Sequence, residues 1–120
     1  MIVNAAKHEI ALNHIKDTYK YIRIGNGGDD TAASQTALDA EIPQSDGTTL
    51  VKTVTPSVIS NQLVWTVSFT GTEIGTQGAS ELGIFSASSG GTLLSRATFT
   101  NTGVVPSTDT VTFTIRVEVD

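Results

Sequence analysis

Polar and apolar residues alternate along several stretches of the chain, and this pattern predicts β-strands. The clearest stretch is Gln62–Thr70, and a longer one runs from Asp109 to Val119. Each has one largely apolar face and one face rich in threonine or serine, as expected for half-buried strands. We expect Trp65 at the centre of the core. The predicted inward residues are Leu63, Trp65, Val67, Phe69, Val111, Phe113, Ile115, Val117 and Val119.

The segment Ser80–Phe99 predicts two strands joined by a tight turn. Gly90 and Gly91 lie in that turn, where glycine readily supplies the positive φ angles of a short hairpin connection. Most symmetric registers around the turn put Glu81 and Arg96 on one face, close enough for a cross-strand or diagonal pair that would set the register. The alternation places the following residues in the core: Leu82, Ile84, Leu93 and Ala97.

Helical periodicity is found at the N-terminus. Residues from about Ala5 to Asp17 predict an amphipathic helix, with Asn4 as its N-cap. Thr36–Ile42 predicts one short helical turn that ends at Pro43. The predicted apolar stripe of the first helix comprises Ala5, His8, Ala11, Leu12, Ile15 and Tyr19.

The remaining segments complete a mainly β pattern. Tyr19–Ile24 predicts the first strand, and Leu50, Val54 and Val58 are expected on one face of a strand, or of two strand pieces bent near Pro56. At 120 residues the chain has the length of one domain. We therefore predict a single antiparallel β-sandwich domain over residues 1–120, with the helix of residues 1–18 packed on or beside it.

The charge is unevenly distributed. The chain carries a formal charge of −5, with +2 in residues 1–24 and −7 in the rest. This split is compatible with head-to-tail contact between copies, although a solvated helix face is the simpler interpretation. The candidate interface residues are Lys7, Ile10, Lys16 and Lys20. Nucleic-acid binding is not expected, because the excess acid would repel phosphate.

Residues for catalysis or cofactor binding are scarce. The chain has no cysteine, and its two histidines, His8 and His14, are not spaced as a helical metal pair. His8 is expected to bond a backbone carbonyl at the edge of the core. We therefore predict no enzyme activity and no cofactor, and no apolar run approaches the roughly 18 residues of a membrane span.

Two groups of residues could suggest a ligand. The glycine-rich segment 25–28 lacks the Lys-Ser or Lys-Thr of a phosphate-binding loop. The acidic residues of the loops could surround calcium, but their spacing matches no EF-hand, and solvated loop acids are the preferred interpretation. Those acidic residues are Asp29, Asp30, Asp39, Glu41 and Asp46.

Two ordered motifs carry a resemblance to a known family. The first is YIRIGNG at residues 21–27 followed by TALDAEI at residues 36–42, and the second is ELGIFSA at residues 81–87 followed by GGTLLSRA at residues 90–97 and by Phe99. Together they resemble small virion proteins of tailed bacteriophages and prophages, in which an IGxG … TxLxxE segment precedes an ExGxF … GGxLLxRAxF hairpin. The similarity covers most of the chain, from about residue 4 to residue 119.

The resemblance implies a non-enzymatic structural subunit of a virus particle. It would be a tail, fibre or baseplate component or a protein that decorates the head, located in the virion and oligomeric there, with copies of itself and a neighbouring virion protein as partners. The matching glycines, Glu81 and Arg96 would then be architectural. A receptor- or glycan-binding module is the alternative, with Tyr19, Tyr21 or Trp65 as possible stacking platforms.

Overall fold

The structure, a computed structural model, describes residues 1–28, 32–44 and 46–119. Within these residues the chain forms an N-terminal helix, seven strands and one short second helix, so the predicted mainly β class with an N-terminal helix is confirmed. None of the described helices is long and apolar enough to cross a membrane. The elements are α1 (Asn4–Thr18), β1 (Tyr21–Gly25), β2 (Lys52–Thr53), β3 (Ser57–Ile59), β4 (Gln62–Thr70), α2 (Gly71–Ile74), β5 (Glu81–Phe85), β6 (Leu93–Thr98) and β7 (Thr110–Glu118).

The strands form two antiparallel sheets. The first has the order β2-β1-β5-β6 and the second the order β3-β4-β7. Strand β4, whose observed bounds match the prediction, pairs with β7 in an unbroken register from Gln62↔Glu118 to Thr70↔Thr110. Strand β7 is consequently an outer strand of the second sheet.

Both sheets contribute to one hydrophobic core. The inward side chains of β4 are buried, as predicted, and the fully buried indole of Trp65 donates a hydrogen bond from Nε1 to the Tyr19 carbonyl oxygen at 2.9 Å. This contact connects the end of α1 to the centre of the core. The buried apolar residues are Ile22, Ile24, Leu50, Leu63, Trp65, Val67, Phe69, Ile74, Ala79, Leu82, Ile84 and Phe85.

The hairpin of β5 and β6 has the predicted turn but not the predicted alternation. Gly90 and Gly91 adopt φ angles of 63° and 77°. A bulge next to the Ile84–Phe85 step brings Leu93 opposite Phe85 and lets Leu94 pack against the core instead. The core position predicted for Leu93 is therefore wrong. The extra residue of the bulge turns the side chains between the bulge and the turn to the opposite face of the strand.

The helical turn predicted at Thr36–Ile42 is also wrong. The Ile42 amide donates to the Ile24 carbonyl at 2.9 Å, and the Asn26 amide donates to the Ala40 carbonyl at 2.9 Å. These long-range bonds to β1 and the residue after it use backbone groups that a helix would need internally. Asn4 is not the N-cap of α1 either, since the Val3 carbonyl accepts the first helical bond from the Lys7 amide at 3.0 Å.

The common face predicted for Leu50, Val54 and Val58 is not found. Leu50 is buried, whereas Val58 is 41% exposed. The reason is that β2 and β3 belong to different sheets, so the chain leaves one sheet and enters the other around Pro56.

Candidate functional site

Glu81, the first residue of β5, is fully buried in a cluster of hydrogen-bond donors. Its Oε1 accepts from the Asp39 amide at 2.9 Å and from Arg96 Nε at 2.8 Å. Its Oε2 accepts from the Gly27 and Ala40 amides, both at 2.8 Å. A carboxylate offers about four acceptor positions, so this one has no position left for a substrate.

Arg96 completes the cluster from β6. It lies opposite Gly83 and therefore diagonal to Glu81, which is one of the two arrangements predicted from the sequence. Its side chain is 2% exposed, and its Nη2 donates to the Gly28 carbonyl at 2.7 Å and to Asp39 Oδ2 at 3.1 Å. Together, Glu81 and Arg96 attach the segment between β1 and β2 to the hairpin.

The electrostatics of the cluster favour the ionised carboxylate. Burial raises the pKa of Glu81, but the hydrogen bonds from the Ala40 amide, Arg96, and the Asp39 and Gly27 amides outweigh burial. The resulting pKa lies below the ordinary value of 4.5. Because Glu81 is ionised, buried and saturated with donors, it is unsuited to act as a general acid or base.

The glycines of the first motif are explained by the same cluster. A Cβ atom at Gly25 would lie 2.5 Å from both Glu81 Oε2 and the Ala40 carbonyl oxygen. At Gly27 a Cβ atom would overlap Glu81 Oε2 and the side chain of Asp39. Both positions therefore require glycine for close approach.

Arg23 occupies a second internal site, on the same face of the first sheet. It is 5% exposed, and its guanidinium stacks 3.4 Å from the centroid of the Phe85 ring. It pairs with Glu41 at 3.3 Å and donates to the Gly90 carbonyl at 2.8 Å. One of the four basic residues of the N-terminal segment is thus neutralised internally, which weakens the charge split as a basis for head-to-tail contact.

Helix α1 is attached loosely to the body of the protein. None of its residues is buried, although Leu12 and Ile15 pack against the edge of the core. His8 Nε2 bonds the carbonyl oxygen of Val119, as predicted for this side chain. The helix therefore contributes little core and leaves most of its surface to solvent.

The four candidate interface residues do not form one patch. Lys7 lines a groove beside Val119, whereas Lys16 lines a groove on the other side of α1, beside β3. Ile10 is 59% exposed. Lys20 follows the helix, is half-buried and accepts a bond on its carbonyl from the Val54 amide at 2.7 Å.

Most of the strongly exposed apolar side chains of the described residues belong to a few adjoining segments. Seven large apolar side chains are strongly exposed among the described residues, and six of them lie in Met1–Val3, α1 or β3. A groove of about 440 Å³ separates α1 from β3. We call the outer surface of these segments the α1–β3 surface. Its exposed apolar residues are Met1, Ile2, Val3, Ile10, Val58 and Ile59, and of these six Val58 lines the groove.

Sequence reasoning missed the contribution of β3 to this surface. Val58 and Ile59 are consecutive, so in a strand they point to opposite faces, and both can be apolar only if neither face is fully polar. That adjacency was the available signal. It was obscured because Val58 fits the spacing of Leu50 and Val54.

The metal and glycan sites considered above were also sought. In the described part of the chain, no three His, Asp or Glu side chains come together as a metal site. Asp39 and Glu41 are paired with arginines, and Asp46 accepts from the Thr48 amide at 3.0 Å. Asp29 and Asp30, named above for calcium, lie outside the described residues. Trp65, named as a possible stacking platform, is 0% exposed and offers none.

No protein-family model matches the chain, and no curated protein is significantly similar to it in sequence.

Proposed function

We propose that the protein is a non-enzymatic structural subunit of a tailed-virus particle, a surface-exposed head-decoration or tail-associated protein that acts through protein–protein contacts. It assembles in the virion with copies of itself and with a neighbouring virion protein. The ordered pair of motifs supports the class of particle. The α1–β3 surface supports the mode of action, because its apolar side chains are left exposed by the described part of the chain.

The proposed architecture is a β-sandwich with α1 beside it. Support comes from the core, to which Ile22 and Ile84 of the first sheet and Trp65 and Phe69 of the second sheet all contribute. Two antiparallel sheets that bury a common set of side chains are the usual construction of a sandwich. In this arrangement the exposed face of α1 adds to the outer surface of the sandwich.

The motif residues support a structural role over a chemical one. Gly25, Gly27, Glu81 and Arg96 satisfy one another's steric and hydrogen-bonding needs inside the protein. Residues consumed in this way hold the fold and are not available to a substrate. This leaves the outer surfaces as the part of the molecule that acts.

The α1–β3 surface is proposed to dock on the neighbouring virion protein. Removing apolar area from water stabilises a complex by about 25 cal/mol per Å² before the costs of association. Val58 of β3 lines the groove, whereas Ile10 lies on α1 outside the groove lining, so a partner that covers both must extend from β3 across the helix. Scattered single apolar residues need no explanation, but six in adjoining segments do.

The test is incorporation of point variants into particles, measured by mass spectrometry of purified virions. Ile10→Glu places a charge within the proposed contact without touching the core, so we expect incorporation to fall at least about tenfold. Val104→Glu is the matched control, because Val104 is 72% exposed and lies outside the α1–β3 surface. Thermal unfolding of both variants checks that the fold is retained.

Equal incorporation of the two variants would refute docking through α1–β3. Absence of the wild-type protein from particles, sought with a C-terminal label by electron microscopy, would refute the virion role itself.

A further inference from the structure

Strand β7 has an open edge, to which no strand of the described residues is paired. The Val119 amide donates to the Asn61 carbonyl at 2.9 Å, and the Asp109 carbonyl accepts from the Gly71 amide at 2.9 Å. Both bonds point toward the β4 side, and the register between them is unbroken. The N–H and C=O groups of successive residues point to opposite edges of a strand. The backbone groups of the odd-numbered residues of β7 therefore point toward β4. Those whose N–H and C=O groups face the open edge are Thr110, Thr112, Thr114, Arg116 and Glu118.

Apart from Arg116 and Glu118 near its end, this edge lacks the features that usually prevent strand pairing. Strand β7 contains no proline and no lysine, and its pairing with β4 has no bulge. Its inward residues are only half-buried in a single chain, although they are aromatic or β-branched. Those residues are Val111, Phe113, Ile115 and Val117.

We propose that β7 pairs antiparallel with β7 of a second copy, about a twofold axis through Thr114. In this register Thr114 lies opposite itself, Thr112 opposite Arg116, and Thr110 opposite Glu118. Every residue with free backbone groups then meets another such residue, and the five pairs make about ten N–H···O=C bonds. No other register uses all of them.

The side chains also suit this register. On the inward face Phe113 lies opposite Ile115, and Val111 opposite Val117, which are favourable cross-strand combinations of aromatic and β-branched residues. On the outward face Arg116 and Glu118 lie opposite threonines. No like charges are therefore brought together, and the bond from Asn61 Nδ2 to Glu118 at 2.9 Å is retained.

A second copy is the occupant that this complementarity favours, because the edge matches itself over its whole length. The product is a closed twofold dimer with a six-stranded sheet of order β3-β4-β7-β7-β4-β3. Strand β3 lies at each outer edge, so Val58 and Ile59 of both copies stay free for a neighbour. The inference rests on the proposed function only in that copies assemble with one another, and it names the surface that joins them.

The experiment introduces a charge at the twofold axis of the purified protein and then mixes variants of opposite charge. Thr114 is exposed, and Thr114→Lys or Thr114→Glu places like charges opposite each other in the dimer. We expect the wild type to dimerise in sedimentation equilibrium and each variant to dimerise about two- to fivefold more weakly. An equimolar mixture should recover dimers that native mass spectrometry identifies as Lys–Glu heterodimers.

The matched control is Thr66→Lys. Thr66 is exposed on the same face and pairs with Thr114 across β4 and β7, but it lies one strand away from the axis. The Thr66→Lys variant should dimerise as strongly as the wild type does. Thermal unfolding of each variant confirms that the monomer is folded.

Two results would overturn the inference. A wild-type protein that stays monomeric up to about 1 mM would exclude pairing of any useful strength. Dimers with no preference for the Lys–Glu heterodimer would exclude the axis through Thr114. Neither result bears on incorporation through the α1–β3 surface, which is measured on particles, so the two proposals can fail separately.

Discussion

Replacing Glu81 by glutamine is the sharpest test of the internal cluster. The side chain keeps its shape, but an amide has one oxygen where the carboxylate has two. Each carboxylate oxygen accepts from two donors, so either orientation of the amide leaves two N–H groups without an acceptor and facing an NH₂ group. The variant therefore removes acceptors without creating a cavity.

The expected cost is about 3–5 kcal/mol. Hydrogen bonds to a charged group contribute about 1.5–3 kcal/mol each, and removing one partner of a buried ion pair costs about 3–5 kcal/mol. A domain of this size has a total stability of about 5–15 kcal/mol. The variant should thus lose a large part of its stability, with a melting temperature lower by about 12–20 °C.

The assay is urea unfolding at pH 7, followed by fluorescence of the single tryptophan, Trp65, which is buried in the native state. Glu73→Gln is the matched control. Glu73 also accepts from a backbone amide, that of Thr70 at 2.8 Å, and pairs with Lys52 at 2.6 Å, but its side chain is 26% exposed. We expect this control to cost no more than about 1 kcal/mol. Similar losses for the two variants would show that burial and donor saturation at Glu81 do not stabilise the fold as argued.

Two further predictions concern the same cluster. The pKa of Glu81 is lower in the folded than in the unfolded protein, so its contribution to stability is present above the ordinary value of 4.5 and is lost as pH falls through the folded pKa. The difference in unfolding free energy between wild type and Glu81→Gln should therefore shrink below about pH 4.5, and a constant difference down to pH 2 would contradict this sign. Gly27→Ala should cost about 3 kcal/mol because its Cβ overlaps Glu81, whereas Gly90→Ala, which meets open space at φ +63°, should cost about 1 kcal/mol. Urea unfolding of the two alanine variants checks this order, and a smaller loss for Gly27→Ala would reject the steric role of that position.

Local patterns were sufficient where pairing is regular. The alternation of β4 predicted its bounds and its buried side chains, because a strand with one apolar face has only one orientation that buries that face. The turn at Gly90 and Gly91 was equally readable, since few residues tolerate its φ angles. The shared face of Glu81 and Arg96 followed from counting along the same hairpin.

Predictions from local patterns were wrong where contacts between distant segments determine the conformation. The stretch Thr36–Ile42 has a plausible helical spacing, but Glu81 takes the amides of Asp39 and Ala40 across about 40 residues of chain. A bulge of one residue reversed Leu93 and Leu94, and nothing in the composition of β6 announces it. The exposure of Val58 depended on which sheet its strand joined.

The internal cluster has a consequence for how this protein can change over evolutionary time. Three of the four donors to Glu81 are backbone amides, so the conformation of the segment before Glu41 depends little on which side chains stand at positions such as Ala40. Substitutions there would alter the outside of the molecule while its frame stays in place. A lineage could thus exchange the partners that it recognises on this side without redesigning its scaffold, provided that Glu81 and the glycines beneath it are kept.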